Sequence, residues 1–341
     1  MNTLMAAIRN NNMQKKHIKR LFYKLIGQRL SDNLRNIFNY KDFIFYNRKR
    51  SSKTRKLLLE NTKRNPDGNY DLELLIQLDK LFPKIDLKEN YIFNNLLQSA
   101  RDRFLFLRSS GIDLEGKEVC DIGAGHGETL LVAHEFKIKK AIGYDYSNDR
   151  FLNYVPNLNE AQKEIIEYKV LDIVNDDLGS NNIDIVMSFS AFEHFEKPGD
   201  VLEKVYNKLK KGGYLYAEFA AFNSPFAIHR KKFSGVPHIQ NIFEERVAYE
   251  FFYKHLKINE EINRYTNEKI TNYNPYPEIN RWLIPDFEKI FLDKSKWNII
   301  NYTKNYNYKY YWLINLFNEK FKNKSHEDKY VDYFKFLLQK K

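Results

Sequence analysis

Cysteine is nearly absent from this chain, and so are long hydrophobic runs. A single cysteine, Cys120, among 341 residues rules out an internal disulfide and fits a reducing cytoplasm. No stretch of about 18 apolar residues exists, which excludes a membrane-spanning helix. Residues 1–16 contain no apolar core of the kind found in secretory signals. These absences predict a cytoplasmic protein.

Apolar and aromatic residues, in contrast, are abundant. Hydrophobic residues make up 43% of the sequence, including 26 phenylalanines and 24 tyrosines. A chain of 341 residues with this content buries a substantial core, either as one large domain with additions or as two domains. Disorder is therefore not expected outside the ends.

Positive charge is concentrated at one end of the chain. Residues 1–60 hold 15 lysines and arginines against three acidic residues, an excess equal to the whole net charge of +12. This segment allows three interpretations. It is a solvated helix packed on the rest of the protein, it contacts an anionic surface of the inner membrane through residues 15–30, or it binds nucleic-acid phosphates. Because the rest of the chain is neutral, nucleic acid ranks last.

Residues 117–222 alternate short apolar runs with helical segments. The runs are EVCDI, KAIGY, EYKVL, IDIVMSF and YLYAEFAAF, and helices are predicted between them at 127–136, 148–165 and 199–210. The alternation predicts an α/β fold with a parallel sheet that helices cover on both faces. Before this region, residues 1–110 are predicted to form a basic, helical N-terminal extension.

The last third of the chain is aromatic and less regular. Residues 223–295 are predicted to be an insert after the fifth strand, with helices at 243–256 and 283–293. Residues 296–341 are predicted to close the sheet with two strands and a helical segment between them. Residues 111–341 then form one domain behind the extension.

Three of the 13 glycines stand at every second position in the stretch EVCDIGAGHGETLLVA. Glycine in a strand-to-helix turn lets the backbone touch a ligand that any Cβ would keep away. The same turn aims free N–H groups of the next helix at that ligand. The dinucleotide fingerprint needs glycine at its first, third and sixth positions, but the sixth position counted from Gly123 is Glu128. The spacing instead places Asp121 before Gly123, Gly125 and Gly127.

This D-x-G-x-G-x-G pattern resembles motif I of the class I S-adenosylmethionine-dependent methyltransferases. The likeness extends over residues 117–222, where four landmarks stand in the family's order at the carboxyl ends of strands. The resemblance implies a Rossmann-like, doubly wound, seven-stranded sheet of order 3-2-1-4-5-7-6, whose last strand runs antiparallel between strands five and six. It also implies S-adenosyl-L-methionine as the cofactor, bound by residues 117–222.

The resemblance further assigns roles to residues at the strand ends. Asp145, in AIGYDYS, stands where the family places an acid on the two ribose hydroxyls, and a carboxylate can accept both hydrogen bonds. Asp172, in VLDI, stands where the family places an acid near the adenine amino group. The predicted cofactor-binding residues are Asp121, Gly123, Gly125, Gly127, Asp145, Tyr146, Asp172, Ile173 and Ser188.

A weaker resemblance concerns the acceptor. The stretches NSPFAIHRKKFSGVPHIQNIFEE and INRWLIPDFEKIF are similar to a methyltransferase subgroup of glycan and lipid-linked pathways. This resemblance implies methyl transfer to an oxygen of a small-molecule, sugar or glycan acceptor, which residues 223–295 would border. Two alternatives stay open: a non-catalytic cofactor-binding or scaffold protein recruited through its basic arm, and, ranked below it, an RNA methyltransferase.

Methyl transfer from a sulfonium is an in-line displacement, so the site must align the acceptor with the methyl group and exclude water. An oxygen acceptor also needs a base near neutral pH, a role that suits histidine. His194, after strand four, is the first candidate, and His229 and His238 in the insert are the others; each also has a structural interpretation. No metal site is predicted, because His126 and its neighbours form no recognised ligand motif.

Overall fold

The computed structural model describes residues 60, 67–82, 89–179, 182–258, 271, 274–276 and 278–341, with side chains in the helix that begins at Glu89 described from Asn94 onward. The segment 15–30, for which membrane contact was one interpretation, lies outside these residues. Among the residues that are described, no helix has the length and apolar character needed to cross a bilayer.

One sheet organises the described chain. Its strands are β1 (Glu118–Ile122), β2 (Lys140–Asp145), β3 (Ile166–Val170), β4 (Ile183–Phe189), β5 (Leu209–Phe219), β6 (Trp297–Tyr306) and β7 (Val331–Lys340). They lie in the order β3-β2-β1-β4-β5-β7-β6. The first five strands are parallel, and β7 runs antiparallel to both of its neighbours. The predicted α/β class, strand order and antiparallel last strand are confirmed.

Helices connect and cover these strands. In chain order the α-helices of the described residues are α1 (Leu72–Asp79), α2 (Glu89–Ser109), α3 (Glu128–Ala133), α4 (Asp149–Leu152), α5 (Glu160–Ile165), α6 (Pro198–Lys208), α7 (Ile239–Ile242), α8 (Glu245–Tyr249), α9 (Ile284–Phe291), α10 (Tyr311–Leu316), α11 (Asn318–Phe321) and α12 (His326–Tyr330). A π-helical turn (Glu250–His255) continues α8. Pro198 lies in the first turn of α6, where its missing N–H costs no hydrogen bond.

The sheet carries an apolar core on each face. Cys120 and Ile122 belong to the cluster that includes residues of α6 and α9, whereas Val119 belongs to the cluster that includes residues of α2 and α3. Successive residues of a strand point to opposite faces, so the two clusters are the two sides of one sheet. This double cover explains why the central strands are almost wholly apolar.

A third core lies away from the sheet. It joins α1 to the insert after β5 and to the helices between β6 and β7, and it is rich in aromatic side chains. The two described helices of the predicted N-terminal extension therefore pack in different places: α1 contacts the insert, and α2 covers one face of the sheet. The insert is thereby fixed against the rest of the chain at the edge of the sheet where functional residues were predicted.

Candidate functional site

A cavity of about 700 Å³ lies at the carboxyl ends of β1 to β4. The sheet order reverses between β1 and β4, and in parallel sheets ligands bind outside the strand ends at such a reversal. The cavity floor is the turn that joins β1 to α3, and the opposite side comes from the insert. The position agrees with the sequence prediction, which placed both cofactor and acceptor residues at this edge.

The glycine turn has two structural requirements. All three glycines hold left-handed backbone angles, with φ of 73° at Gly123, 52° at Gly125 and 73° at Gly127. A Cβ at Gly123 would lie 2.5 Å from the Cβ of Ala191, and one at Gly127 would lie 2.5 Å from a ring carbon of Phe151. A Cβ at Gly125 would meet no heavy atom within 4 Å. Glycine at 123 and 127 thus permits close packing, and Gly123 and Gly125 both line the cavity.

The Asp145 carboxylate links the end of β2 to this turn. Its Oδ2 accepts a hydrogen bond from the backbone N–H of Gly125 at 2.9 Å, and its Oδ1 accepts one from Ser147 at 3.4 Å. The Tyr168 hydroxyl, on β3, shares its single proton between the carbonyl oxygens of Gly125 and Ser147, at 3.1 and 3.2 Å. Asp145 lines the cavity together with the exposed Tyr146.

The Asp172 carboxylate also lies at the cavity, but it is engaged within its own turn. Oδ1 accepts from the backbone N–H of Val174 at 2.9 Å, and Oδ2 accepts from the Asn175 amide at 2.7 Å. The neighbouring Ile173 is buried and offers the cavity an apolar surface. Contact of this pair with an adenine ring stays a prediction.

Two predicted cofactor residues lie behind the cavity wall. The hydroxyl of Ser188 donates to the Ile122 carbonyl at 2.9 Å and is fully buried between β1 and β4. Asp121 is 3% exposed, and its burial, reinforced by the nearby Glu128 carboxylate, raises its pKa to about 7. Neither Ser188 nor Asp121 lines the cavity, and neither does Gly127. Contact of these three residues with a cofactor stays a prediction.

Two of the three predicted catalytic histidines meet on the other side of the cavity. The rings of His194 and His229 are 4.8 Å apart between centroids and nearly perpendicular. Nδ1 of His194 lies 2.7 Å from the Glu278 carbonyl oxygen. Because a carbonyl can only accept, Nδ1 carries the proton and Nε2 is the basic nitrogen. Burial lowers the pKa of His194, and desolvation in the cavity lowers that of His229, whose side chain is 36% exposed, so both imidazoles are neutral near pH 7.

Glu193 completes a group that the sequence did not reveal. Its side chain is 2% exposed, Oε1 lies 3.6 Å from Nε2 of His229, and Oε2 has no hydrogen-bond partner among the described residues. Burial raises the pKa of Glu193 to about 8. One ligand atom each from Glu193, His194 and His229 lies within 4.8 Å of the others, a grouping that could hold a metal ion. The only sequence signal was the Glu-His pair after β4.

His238 does not join this group. It is completely buried in the third core, with Nδ1 3.0 Å from the Asn241 amide and its ring 5.3 Å from Phe321. It does not line the cavity. A base at this position would have no access to an acceptor, so the location favours the structural interpretation that the sequence left open.

Several cavity residues were missed by sequence reasoning. Arg150 and Lys232 are exposed at the cavity, and Arg230 is buried beside it. Arg230 donates to the Tyr253 hydroxyl at 2.9 Å and lies 3.6 Å from the Glu278 carboxylate. The cluster HRKK was visible in the sequence, but its position relative to the cavity depends on how the insert folds back.

The chain has similarity to known proteins. Residues 91–271 match the family described as "Methyltransferase domain", which is more than half of the chain. A protein of Campylobacter lari named tRNA U34 carboxymethyltransferase is 24% identical over 54% of this chain and 67% of its own length. Proteins with the same name from Campylobacter fetus and Sulfurovum are 26% and 27% identical, over 39% and 37% of this chain. The last two alignments cover 50% and 43% of those relatives.

Solved structures are similar to this chain at low sequence identity. The magnesium protoporphyrin IX methyltransferase of Synechocystis, with bound S-adenosylhomocysteine, is 14% identical with a TM-score of 0.43, over 76% of this chain and 90% of its own. A methyltransferase of Mesorhizobium loti is 16% identical with a TM-score of 0.43, over 70% and 97%.

The names of the curated relatives overturn the predicted acceptor. The sequence interpretation gave a small-molecule, sugar or glycan acceptor and ranked nucleic acid last among partners, but the five curated relatives are named for tRNA. The prediction was wrong because it averaged charge over residues 61–341. Phosphate contacts are made by individual cations, so a neutral sum does not exclude them.

Proposed function

We infer that this chain, which belongs to the class I S-adenosylmethionine-dependent methyltransferases, transfers a methyl group to RNA, with a transfer RNA as its substrate. The observation that carries the RNA assignment is the shared name of the five curated relatives. Since those alignments cover only part of the relatives, the substrate is a proposal, whereas membership in the family and the cofactor are not.

The cavity is suited to S-adenosylmethionine on three grounds. The turn at Gly125 offers bare backbone with no heavy atom within 4 Å of a hypothetical Cβ, so a ligand can approach closely. The Asp145 carboxylate borders the same turn and can exchange its backbone hydrogen bonds for ribose hydroxyls. The Glu128 carboxylate lines the cavity next to the turn, where its negative charge favours a cationic ligand. The cofactor supplies an electrophilic methyl group on a sulfonium.

The opposite side of the cavity is suited to an acceptor that releases a proton. His194 is held by its Nδ1 contact to Glu278, which leaves Nε2 as the proton acceptor. His229, beside it and close to Glu193, is the second candidate. Lowered pKa values keep both imidazoles unprotonated at neutral pH, so each can accept a proton, but a pKa of about 3 makes His229 a weak base and favours His194 for the role.

Cations at the cavity support an RNA substrate. Arg150 and Lys232 are exposed there, and residues 1–60 add 15 basic side chains against three acidic ones. Lysine and arginine contacts to phosphates give most of the affinity of RNA-binding proteins and weaken with salt. We therefore assign residues 1–110 as an RNA-binding extension and residues 111–341 as the catalytic domain, with 117–222 for the cofactor, 223–295 for the acceptor and 296–341 closing the sheet. A tRNA substrate also fits the predicted cytoplasmic location.

The proposal is tested with full-length protein, labelled S-adenosylmethionine, and separate tRNA, glycan and small-molecule fractions of cell extract. Label is expected in the tRNA fraction, and mass spectrometry of the digested tRNA identifies the nucleoside and whether it gained a methyl or a carboxymethyl group. Lys232→Ala and Arg150→Ala should weaken tRNA binding and flatten its salt dependence. Lys139→Ala is the matched control, because Lys139 is exposed beside the amino end of β2, at the other edge of the sheet. Label confined to glycans or small molecules would refute the proposal.

A further inference from the structure

We propose that Glu193, His194 and His229 bind a divalent transition-metal ion, with zinc as the preferred type, on the acceptor side of the cavity. The site goes beyond methyl transfer to RNA, and its occupancy can be measured without either substrate.

The donor set is the first argument. Two imidazoles and one carboxylate are a common protein ligand set for Zn²⁺ and for other first-row ions. Their ligand atoms lie within 4.8 Å of one another, and Glu193 and His229 are 3.6 Å apart. In a tetrahedral site, ligand bonds of about 2.1 Å hold two donors about 3.4 Å apart. The most widely separated donors of the group, up to 4.8 Å apart, therefore need to approach each other by about 1.4 Å, which side-chain rotation can provide.

The surroundings of the donors are the second argument. A metal-binding histidine usually donates its other N–H to a carbonyl or a carboxylate, which fixes the ring and its tautomer. His194 does so through Nδ1 to the Glu278 carbonyl at 2.7 Å, and this leaves Nε2 as the donor atom for an ion. The contact joins the loop after β4 to the segment before α9, so the ring is held from a separate part of the chain.

Glu193 provides an independent observation. It is 2% exposed, and its Oε2 has no hydrogen-bond partner among the residues that the structure describes. A buried polar oxygen left without a partner costs roughly 1–3 kcal/mol. Coordination to a cation would satisfy it, and the charge of the ion would compensate the buried carboxylate.

His194 and His229 line the cavity, so an ion held by the three side chains would face the acceptor and keep coordination positions open toward it. Catalytic zinc sites have this arrangement of three protein ligands and one exchangeable position. Such an ion polarises a bound oxygen and would take over proton activation from the imidazoles. The competing assignment is that Glu193 only positions His229 by a hydrogen bond.

The test uses full-length protein treated with a chelator, dialysed, and titrated with Zn²⁺ in competition with a chromophoric chelator. Co²⁺ titration, followed by its visible absorption, reports the ligand geometry. Wild type should bind one ion per chain, and Glu193→Gln and His229→Asn should each weaken binding at least about tenfold. Asparagine is chosen at position 229 because His229 holds φ of 52°, which asparagine tolerates. His126→Asn is the control, since His126 lines the same cavity outside the group.

Circular dichroism and thermal unfolding check that each variant folds, and His229→Asn alone decides the question should Glu193→Gln unfold. Absence of stoichiometric binding by wild type, or binding that both variants retain, would overturn the metal site. A purely positioning role for Glu193 would instead leave wild type without metal and shift the pH–rate profile in Glu193→Gln. Metal binding with no methylation of tRNA would refute the RNA proposal and leave this one standing.

Discussion

Gly125→Ala should weaken cofactor binding with a small loss of stability, whereas Gly123→Ala should mainly destabilise the fold. Both positions hold left-handed φ, 52° and 73°, and alanine there costs roughly 1–2 kcal/mol. Only at Gly123 would the new Cβ overlap a neighbour, the Cβ of Ala191 at 2.5 Å. Such overpacking adds about 1–3 kcal/mol. The expected losses of unfolding free energy are thus about 1–2 kcal/mol for Gly125→Ala and about 2–5 kcal/mol for Gly123→Ala.

Urea unfolding measures the stability, and calorimetric titration with S-adenosylmethionine measures the affinity. The Gly125 side of the turn faces the cavity, so the added methyl group should reduce affinity at least about tenfold, or about 1.4 kcal/mol. A second change provides an internal control. The double variant Gly123→Ala/Ala191→Gly lacks the Cβ of residue 191 that the new Cβ would overlap. It should regain the unfolding free energy lost to that overlap, but not the part lost to the left-handed backbone angle.

Wild-type affinity in Gly125→Ala would show that the cofactor does not lie against this turn, and the role of Asp145 would fall with it. Equal losses of stability in the two single variants would refute the packing explanation for Gly123.

Asp145, Asp121 and His238 each give a further prediction. Asp145→Ala should lower S-adenosylmethionine affinity in calorimetry at least about tenfold, and unchanged affinity would exclude Asp145 from the ribose site. The raised pKa of Asp121 means that the folded state favours its neutral form, so the unfolding free energy of the wild type should fall, relative to Asp121→Asn, as pH rises from 3.8 through about 7. Urea unfolding of both proteins at pH 5 and pH 8 measures this. A difference in unfolding free energy between the two proteins that is the same at both pH values would contradict the prediction. Because His238 is packed in the third core, His238→Asn should lower the melting temperature but leave the methyl-transfer rate per folded molecule unchanged. A folded but inactive variant would show that His238 is catalytic after all.

The fold could be predicted because its signals are local. Strand and helix periodicity between residues 117 and 222 gave the alternation, and the glycine spacing placed the turn at the end of β1. A left-handed, Cβ-free turn requires glycine wherever it occurs, so Gly123 and Gly125 could be identified without coordinates. The strand order and the antiparallel β7 came from the family resemblance, which the sheet bears out.

The acceptor side could not be predicted to the same depth, because its residues come from distant parts of the chain. His229 and His238 belong to one insert, and no sequence period shows that the first faces the cavity while the second enters an aromatic core. Glu193 was harder still to predict, because a glutamate next to a histidine after a strand is an ordinary sequence, and its burial is seen only in the structure. Its partner His229 is brought near only by the folding of the insert.

The acceptor was predicted wrongly for a different physical reason. The net charge of residues 61–341 was used, whereas phosphate binding depends on the positions of individual charged side chains. The neutral sum over residues 61–341 hides where single charges lie, since three basic residues line the cavity together with five acidic ones, namely Arg150, Arg230 and Lys232 with Glu128, Asp145, Asp172, Glu196 and Glu278. An exposed cation at the cavity, such as Arg150 or Lys232, can contact a single phosphate whatever the average charge around it. A chain that is neutral on average can therefore still contact phosphates through individual side chains, and a sum over the sequence does not show which side chains reach the cavity.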